Sequence, residues 1–213
     1  MTGSMVHADC LVAVPMKDPA RSKTRLSDAM APEARHALAR YLFKRTLELL
    51  REAQRLAEFD LVVVTGSDQV TAMAGSAGVS VLDEGPVAEL SAAATRAAAW
   101  AAARGYRRFC VIPADLANPR PQDLAEFIGC PADAAICPST DLGTNAILVS
   151  PPTAIRFAYG PRSATAHIKN AKQAGLTPRI LPFESLRFDI DTSNCLEKAM
   201  IAFPELCNQL GEP

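Results

Sequence analysis

An α/β fold, with a mostly parallel sheet covered by helices, is what this sequence predicts, and three observations carry the prediction. Short β-rich runs alternate with helical ones along the chain. The early strand-like runs are apolar throughout rather than alternating, as expected of strands buried on both faces. With 213 residues, 49 % hydrophobic and 21 % charged, the chain can pack one generous core. No repeat, low-complexity tract or Gly/Ser linker divides it, so residues 1–213 read as a single domain.

Taken in order, "CLVAVP" (10–15) is the first strand and "APEARHALARYLFKRTLELLREAQ" (31–54) the first helix. A strand "DLVVVT" (60–65), a helix at 68–78 and a strand "VSVLD" (79–83) follow. The alanine-rich run at 89–105 is a helix whose apolar face suits either the core or a partner subunit in a homodimer. Then come a strand "RFCVIPAD" (108–115), a short helix at 122–129, and strands "AAICPS" (134–139) and "AILVSP" (146–151). The last stretch reads as a helix at 163–175, strands "PRILPF" (178–183) and "RFDID" (187–191), and a helix at 194–206.

Composition narrows the function. The formal net charge is −1, without the basic excess of a nucleic-acid binder. No run reaches membrane-spanning length and no secretory apolar region is present, so no membrane role is expected. Six cysteines are scattered without a C-x-x-C pair, which suggests neither zinc nor a disulfide framework. A reduced, cytoplasmic enzyme or binding protein is the expectation. The opening "MTGSM" is given no weight.

In a parallel sheet, ligands bind beyond the carboxyl ends of the strands, so the residues there matter most. After the first strand stands "AVPMKDPARSKTRLS", with Lys17, Arg21, Lys23 and Arg25 close together and no glycine between Gly3 and Gly66. This is no glycine-rich phosphate loop. It is either a solvated basic loop or one that meets a small anion with side-chain cations. Asp115 closes the fourth strand, as a metal ligand or as a cap for the turn that follows. In "RFDIDTS", period-two alternation puts Asp189 and Asp191 on one face, where a magnesium ion would relieve their repulsion. The turn Gly143-Thr144-Asn145 lets backbone approach a ligand closely. After Gly160 and Pro161, Ser163 takes an N-cap position, with His167 on the same helix face and expected at the helix surface.

The ordered set "VPMKDPARSKTRL", "PADL", "DLGTNAILVSPP", "YGPRSATAH" and "DIDT", spanning 14 to 192, resembles the 2-phospho-L-lactate guanylyltransferase family. That resemblance implies a Rossmann-like three-layer α/β/α sandwich of the nucleotide-diphospho-sugar transferase type. It also implies transfer of GMP from GTP to a phosphorylated three-carbon acid, with release of pyrophosphate, in the biosynthesis of a deazaflavin coenzyme. The acid differs among members: 2-phospho-L-lactate, phosphoenolpyruvate or 3-phospho-D-glycerate. Carried over, Lys17, Lys23 and Arg25 take the GTP phosphates, and Asp115, Asp189 and Asp191 hold Mg2+. Catalysis then falls to Lys17, Lys23 and Asp115. Thr144, Gly160 and Ser163 cradle the acceptor. Asp83, Glu84 and Ser91 are expected to face the nucleotide. Two departures stand out: Ala117 follows Asp115-Leu116 where the family has proline, and Leu90-Ser91 replaces a Leu-Asn pair. The other readings are a nucleotidyltransferase with another base or acceptor, and a nucleotide-binding regulatory protein without activity.

Overall fold

The computed structural model describes residues 8–86 and 89–202. Among the described residues seven strands form: β1 (Cys10–Pro15), β2 (Asp60–Val64), β3 (Ser80–Leu82), β4 (Arg108–Val111), β5 (Ala134–Pro138), β6 (Thr144–Val149) and β7 (Arg179–Ile180). They make one sheet in the order β3-β2-β1-β4-β6-β5-β7. β1 pairs in parallel with β2 and β4, and β2 in parallel with β3. β6 runs antiparallel to both its neighbours, β4 and β5. The helices are α1 (Pro32–Ala53), α2 (Asp68–Ser76), α3 (Leu90–Ala103), α4 (Pro121–Gly129), α5 (Ser163–Gln173) and α6 (Ser193–Ala202). Residues 203–206 of the last expected helix lie outside the described residues.

Successive side chains of a strand point to opposite faces, and both faces of this sheet are covered. Val12, Val14, Val63, Cys110 and Ile112 pack on one side beneath α1, α2 and α4. Leu11, Ala13, Val62, Val64, Phe109 and Val111 pack on the other beneath α3 and α5. This is why the central strands are apolar without interruption. α1 starts with Pro32 at its first turn and turns Leu38, Leu42, Phe43, Leu47 and Leu50 inward at helical spacing. Each such side chain, withdrawn from water, contributes about 1.5–3 kcal/mol. α3 presents Ala93, Ala94, Ala97, Ala98 and Ala101 to the sheet, so its alanine face belongs to the core. A third cluster joins α6 to α1 through Leu196, Ala199, Leu38 and Leu42, with Ile190 and Leu26 between them.

Two topological facts place the site. From β1 the chain first steps out to β2 and β3, then returns to β4 on β1's other edge. The two carboxyl ends therefore diverge at a switch point, where a crevice opens. Antiparallel β6 pairs Ile147 with Val111, so Thr144 and Asn145, at its start, lie beyond the carboxyl end of β4. An amino-terminal strand end thereby joins carboxyl-terminal ones on one rim.

The expected strand 187–191 does not form. β4 already has partners on both edges, which leaves no place for it beside that strand. Instead a 3-10 turn, Glu184–Leu186, leads into a single bridge between Asp189 and Leu116. The Ala117 N–H donates to the Phe188 carbonyl (2.9 Å), and the Ile190 N–H to that of Asp115 (3.2 Å). The facing read from alternation survives, because Ile190 is buried while Asp189 and Asp191 stay partly exposed.

Candidate active site

A cavity of about 820 Å³ opens at the switch point and is lined by the basic loop, Asp115, Asp189, Asp191, Thr144 and Ser163, among others. Of the candidate site residues read from the sequence, Asp83 and His167 do not line it and the others do.

The loop after β1 is built rather than merely solvated. The Asp18 carboxylate accepts from the Ala20 N–H (2.8 Å), capping a 3-10 turn at Pro19–Arg21. Its other oxygen accepts from the Ser67 hydroxyl (3.2 Å), which ties the loop to the end of β2. Lys23 then adopts a left-handed backbone, φ 56°, rare and mildly costly for a residue with a side chain. Its ammonium turns inward, 2.5 Å from Asp115 Oδ2 and 3.8 Å from Asp191 Oδ1. The Lys23 side chain is only 5 % exposed, whereas Arg25 is 65 % exposed and reaches Asp191 Oδ2 at 2.9 Å. Lys17 is exposed on the cavity rim. The charge run thus divides: one cation is sunk among carboxylates, and the others face the opening.

The three aspartates gather as expected, but with Lys23 among them. Asp189 Oδ1 accepts from Asn145 Nδ2 (3.1 Å). Burial, and the neighbouring Asp115 carboxylate, push Asp189 up to about 6. Among the described residues no three His, Cys, Asp or Glu side chains form a ready-made metal cluster. A cation here would draw on Asp115, Asp189 and Asp191 together with oxygens brought by a substrate.

Thr144 and Ser163, which also line the cavity, form one hydrogen-bonded set with His167. Thr144 Oγ1 is 2.9 Å from His167 Nδ1 and 3.1 Å from Ser163 Oγ. Two sequence expectations are corrected here. Ser163 is the first residue of α5, not its cap; the cap is Arg162, in a left-handed conformation, so the Ser163 hydroxyl is directed to Thr144 rather than to a helix amide. His167 is fully buried rather than at the helix surface, because α5 lays that face on the sheet. Gly160 has φ +137°, a backbone that side-chain-bearing residues rarely adopt, so glycine suits this bend.

On the expected nucleotide side, Glu84 Oε1 accepts from the Gly66 N–H (3.2 Å). A Cβ at Gly66 would come within 2.9 Å of that oxygen, so glycine permits the contact. Ser91 Oγ accepts from the Tyr159 N–H (2.9 Å), linking the start of α3 to the loop that carries Gly160. Asp18 and Tyr159 were not singled out from sequence, and Asn145 entered there only as a residue of a turn. The turn sequence Gly143-Thr144-Asn145 marked the place, but not the hydrogen bond to Asp189, which joins residues 44 apart in the chain.

Comparison with known proteins places the chain in a family. Residues 10–203 match the family model described as "Guanylyl transferase CofC like". The chain is 37 % identical over 207 residues to the 3-phospho-D-glycerate guanylyltransferase of Colwellia psychrerythraea, covering 94 % of this chain and 96 % of that one. It is 29 % identical over 192 residues to the phosphoenolpyruvate guanylyltransferase of Chloroflexus aggregans, covering 88 % and 95 %. In fold it is similar to a nucleotidyl transferase of Methanothermobacter thermautotrophicus, with TM-score 0.66, 12 % identity and coverage of 93 % and 99 %.

Proposed function

This chain belongs to the guanylyl transferase CofC-like family, and from that premise we propose that it transfers GMP from GTP to a small phosphorylated three-carbon acid, releasing pyrophosphate. The observation that carries the reading is that one cavity is lined both by Lys23, Arg25 and the three carboxylates and by the Thr144–Ser163 hydroxyl pair. Two anions that repel in water are brought into line there, which is a task of positioning and charge compensation.

In the reaction a phosphate oxygen of the acceptor attacks the α-phosphorus of GTP. The bond from that phosphorus to the bridging oxygen of the β-phosphate breaks, and pyrophosphate leaves with the electron pair. The attacking oxygen is already ionised, so no residue need take a proton. Lys17, Lys23 and Arg25 meet the phosphates of GTP, while Thr144, Gly160 and Ser163 hold the acid. Glu84 lies on the nucleotide side. Ser91 lies on the same side and keeps its O–H for the nucleotide, while its oxygen accepts from the Tyr159 N–H and so braces the loop that carries Gly160.

Magnesium fits the carboxylate end. The donors there are hard carboxylate oxygens; burial first, and the Asp115 carboxylate second, raise the proton affinity of Asp189, and a cation held there would relieve the second effect. Asp115, Asp189 and Asp191 would hold the ion, which supplies charge stabilisation at the transferring phosphoryl group. The buried, reduced Cys10, Cys110, Cys130 and Cys137 agree with a cytoplasmic enzyme. Its product would enter deazaflavin coenzyme biosynthesis.

Pyrophosphate release from GTP and magnesium, measured with each of the three acids in turn, tests the reading. The highest rate is expected with 3-phospho-D-glycerate, in keeping with the 37 % identical relative. Silence with all three acids would overturn the proposed reaction.

A further inference from the structure

The imidazole of His167 is buried to 0 % exposure between β6 and the loop before α5, and it touches the cavity only through another residue. Its two nitrogens have different neighbours. Nε2 lies 2.9 Å from the backbone N of Ala158, a group that donates and cannot accept. Nε2 therefore offers its lone pair, and in a neutral ring the single proton sits on Nδ1. That proton points at Thr144 Oγ1, 2.9 Å away. Burial drives the ring down to about 4, in keeping with a neutral imidazole at neutral pH. Phe157 and Tyr159 meet it in T-shaped contacts, with ring centres 6.2 and 4.9 Å away, which holds its plane.

The consequence falls on the hydroxyls. Thr144 Oγ1 accepts from the ring and stands 3.1 Å from Ser163 Oγ. Two hydroxyl protons remain in this pair, and only one can lie between the two oxygens. The other is left to the cavity, which both residues line. The amides at the start of α5 do not supply that donor: Ser163, Ala164 and Thr165 N–H groups donate to the carbonyls of Gly160, Leu142 and Arg162. The donor presented at this end is thus a hydroxyl, and its orientation originates at a backbone amide two bonds back along the chain of contacts.

We propose that His167 is a positioning residue of the acceptor end: acting through Thr144, it aims one hydroxyl proton of the Thr144–Ser163 pair at an oxyanion of the phosphorylated acid. This rests on the guanylyltransferase reading of the cavity.

Two substitutions separate positioning from packing. In His167→Asn the amide occupies the place of Nδ1 and keeps a donor for Thr144, but leaves the Ala158 N–H without its acceptor. In His167→Gln the amide reaches the place of Nε2 and satisfies Ala158, but leaves Thr144 without its donor. Binding of 3-phospho-D-glycerate by calorimetry should fall about tenfold or more in His167→Gln, the scale of a hydrogen bond that serves a charged group, and His167→Asn should recover most of it. Equal losses in the two variants, losses that follow their melting temperatures instead, or no loss in either would overturn the proposal. Nitrogen-15 spectra of the wild-type histidines, with His167 assigned from its absence in the variants, should show the Nδ1–H form. The Nε2–H form would overturn the proposal without touching the proposed reaction. Failure of the wild type to release pyrophosphate while it binds the acid and shows the Nδ1–H form would instead overturn the reaction alone. Failure of the wild type to bind any of the three acids would overturn both.

Discussion

Replacing His167 by Asn should change how stability depends on pH, and the size of the change follows from the burial of the ring. Desolvation holds the folded imidazole near 4, against 6.5 for an ordinary histidine. As pH falls below 6.5 the unfolded chain takes up a proton on this residue, and the folded chain does so only near 4. Between those values the unfolded state binds more protons, so stability declines as pH declines. The contribution of neutral His167 is complete above 6.5 and is lost as pH falls through 4. That span is about 2.5 pH units, and at about 1.4 kcal/mol per unit it amounts to about 3 kcal/mol. Asp189 acts in the opposite sense. Its folded value is raised from 3.8 to about 6, so its contribution is present below 3.8 and is lost as pH rises through 6. Asp189 is common to both proteins, and subtracting the two stability curves removes it. Urea unfolding of wild type and His167→Asn at several values from pH 7 to pH 4 is the assay. The wild-type advantage should shrink by about 3 kcal/mol over that range. A difference that stays flat would refute the buried, neutral ring on which this reasoning depends.

Other perturbations test the remaining parts of the site. Lys23→Ala removes the cation that sits between Asp115 and Asp191. Because Asp115 keeps 32 % side-chain exposure, the loss should be about 2 kcal/mol, below that of a fully dry pair. Magnesium should then raise the melting temperature of Lys23→Ala more than that of the wild type; an equal or smaller rise would remove the aspartates from the metal site. Asp189→Asn should abolish magnesium-dependent pyrophosphate release while leaving the fold intact, and wild-type turnover would contradict its assigned role. Ser91→Ala deprives the Tyr159 N–H of its acceptor, a change of about 1 kcal/mol that should appear as faster hydrogen exchange at that amide. Unchanged exchange would mean that Ser91 does not brace this loop. Gly66→Ala should push Glu84 from its place, since the added carbon would sit 2.9 Å from Glu84 Oε1. The expected readout is a raised GTP requirement with an unchanged requirement for the acid.

Local chemistry made the frame of this protein legible before any coordinates. Unbroken apolar runs such as 10–15 and 60–65 demand burial on two faces, and only a sheet covered by helices supplies it. Cations after the first strand and aspartates at 115, 189 and 191 read as an anion site with a place for magnesium; the structure brings these residues to one cavity, although they form no ready-made metal cluster among the described residues. Strand direction was not legible, because an apolar run such as 146–151 reads alike in either sense; pairing alone set β6 antiparallel and carried Thr144 to the rim. The segment 187–191 alternates like a strand, yet β4 has no free edge to receive it. His167 stands on the same helix face as Ser163, as spacing required, but whether that face meets water or the sheet depends on what packs against it. The inward turn of Lys23 has the same origin, since its carboxylate partners lie 92 and 168 residues away and meet it only after the chain has folded. Periodicity and residue chemistry act over a few residues and decide elements; long-range packing decides which of their polar groups face one another.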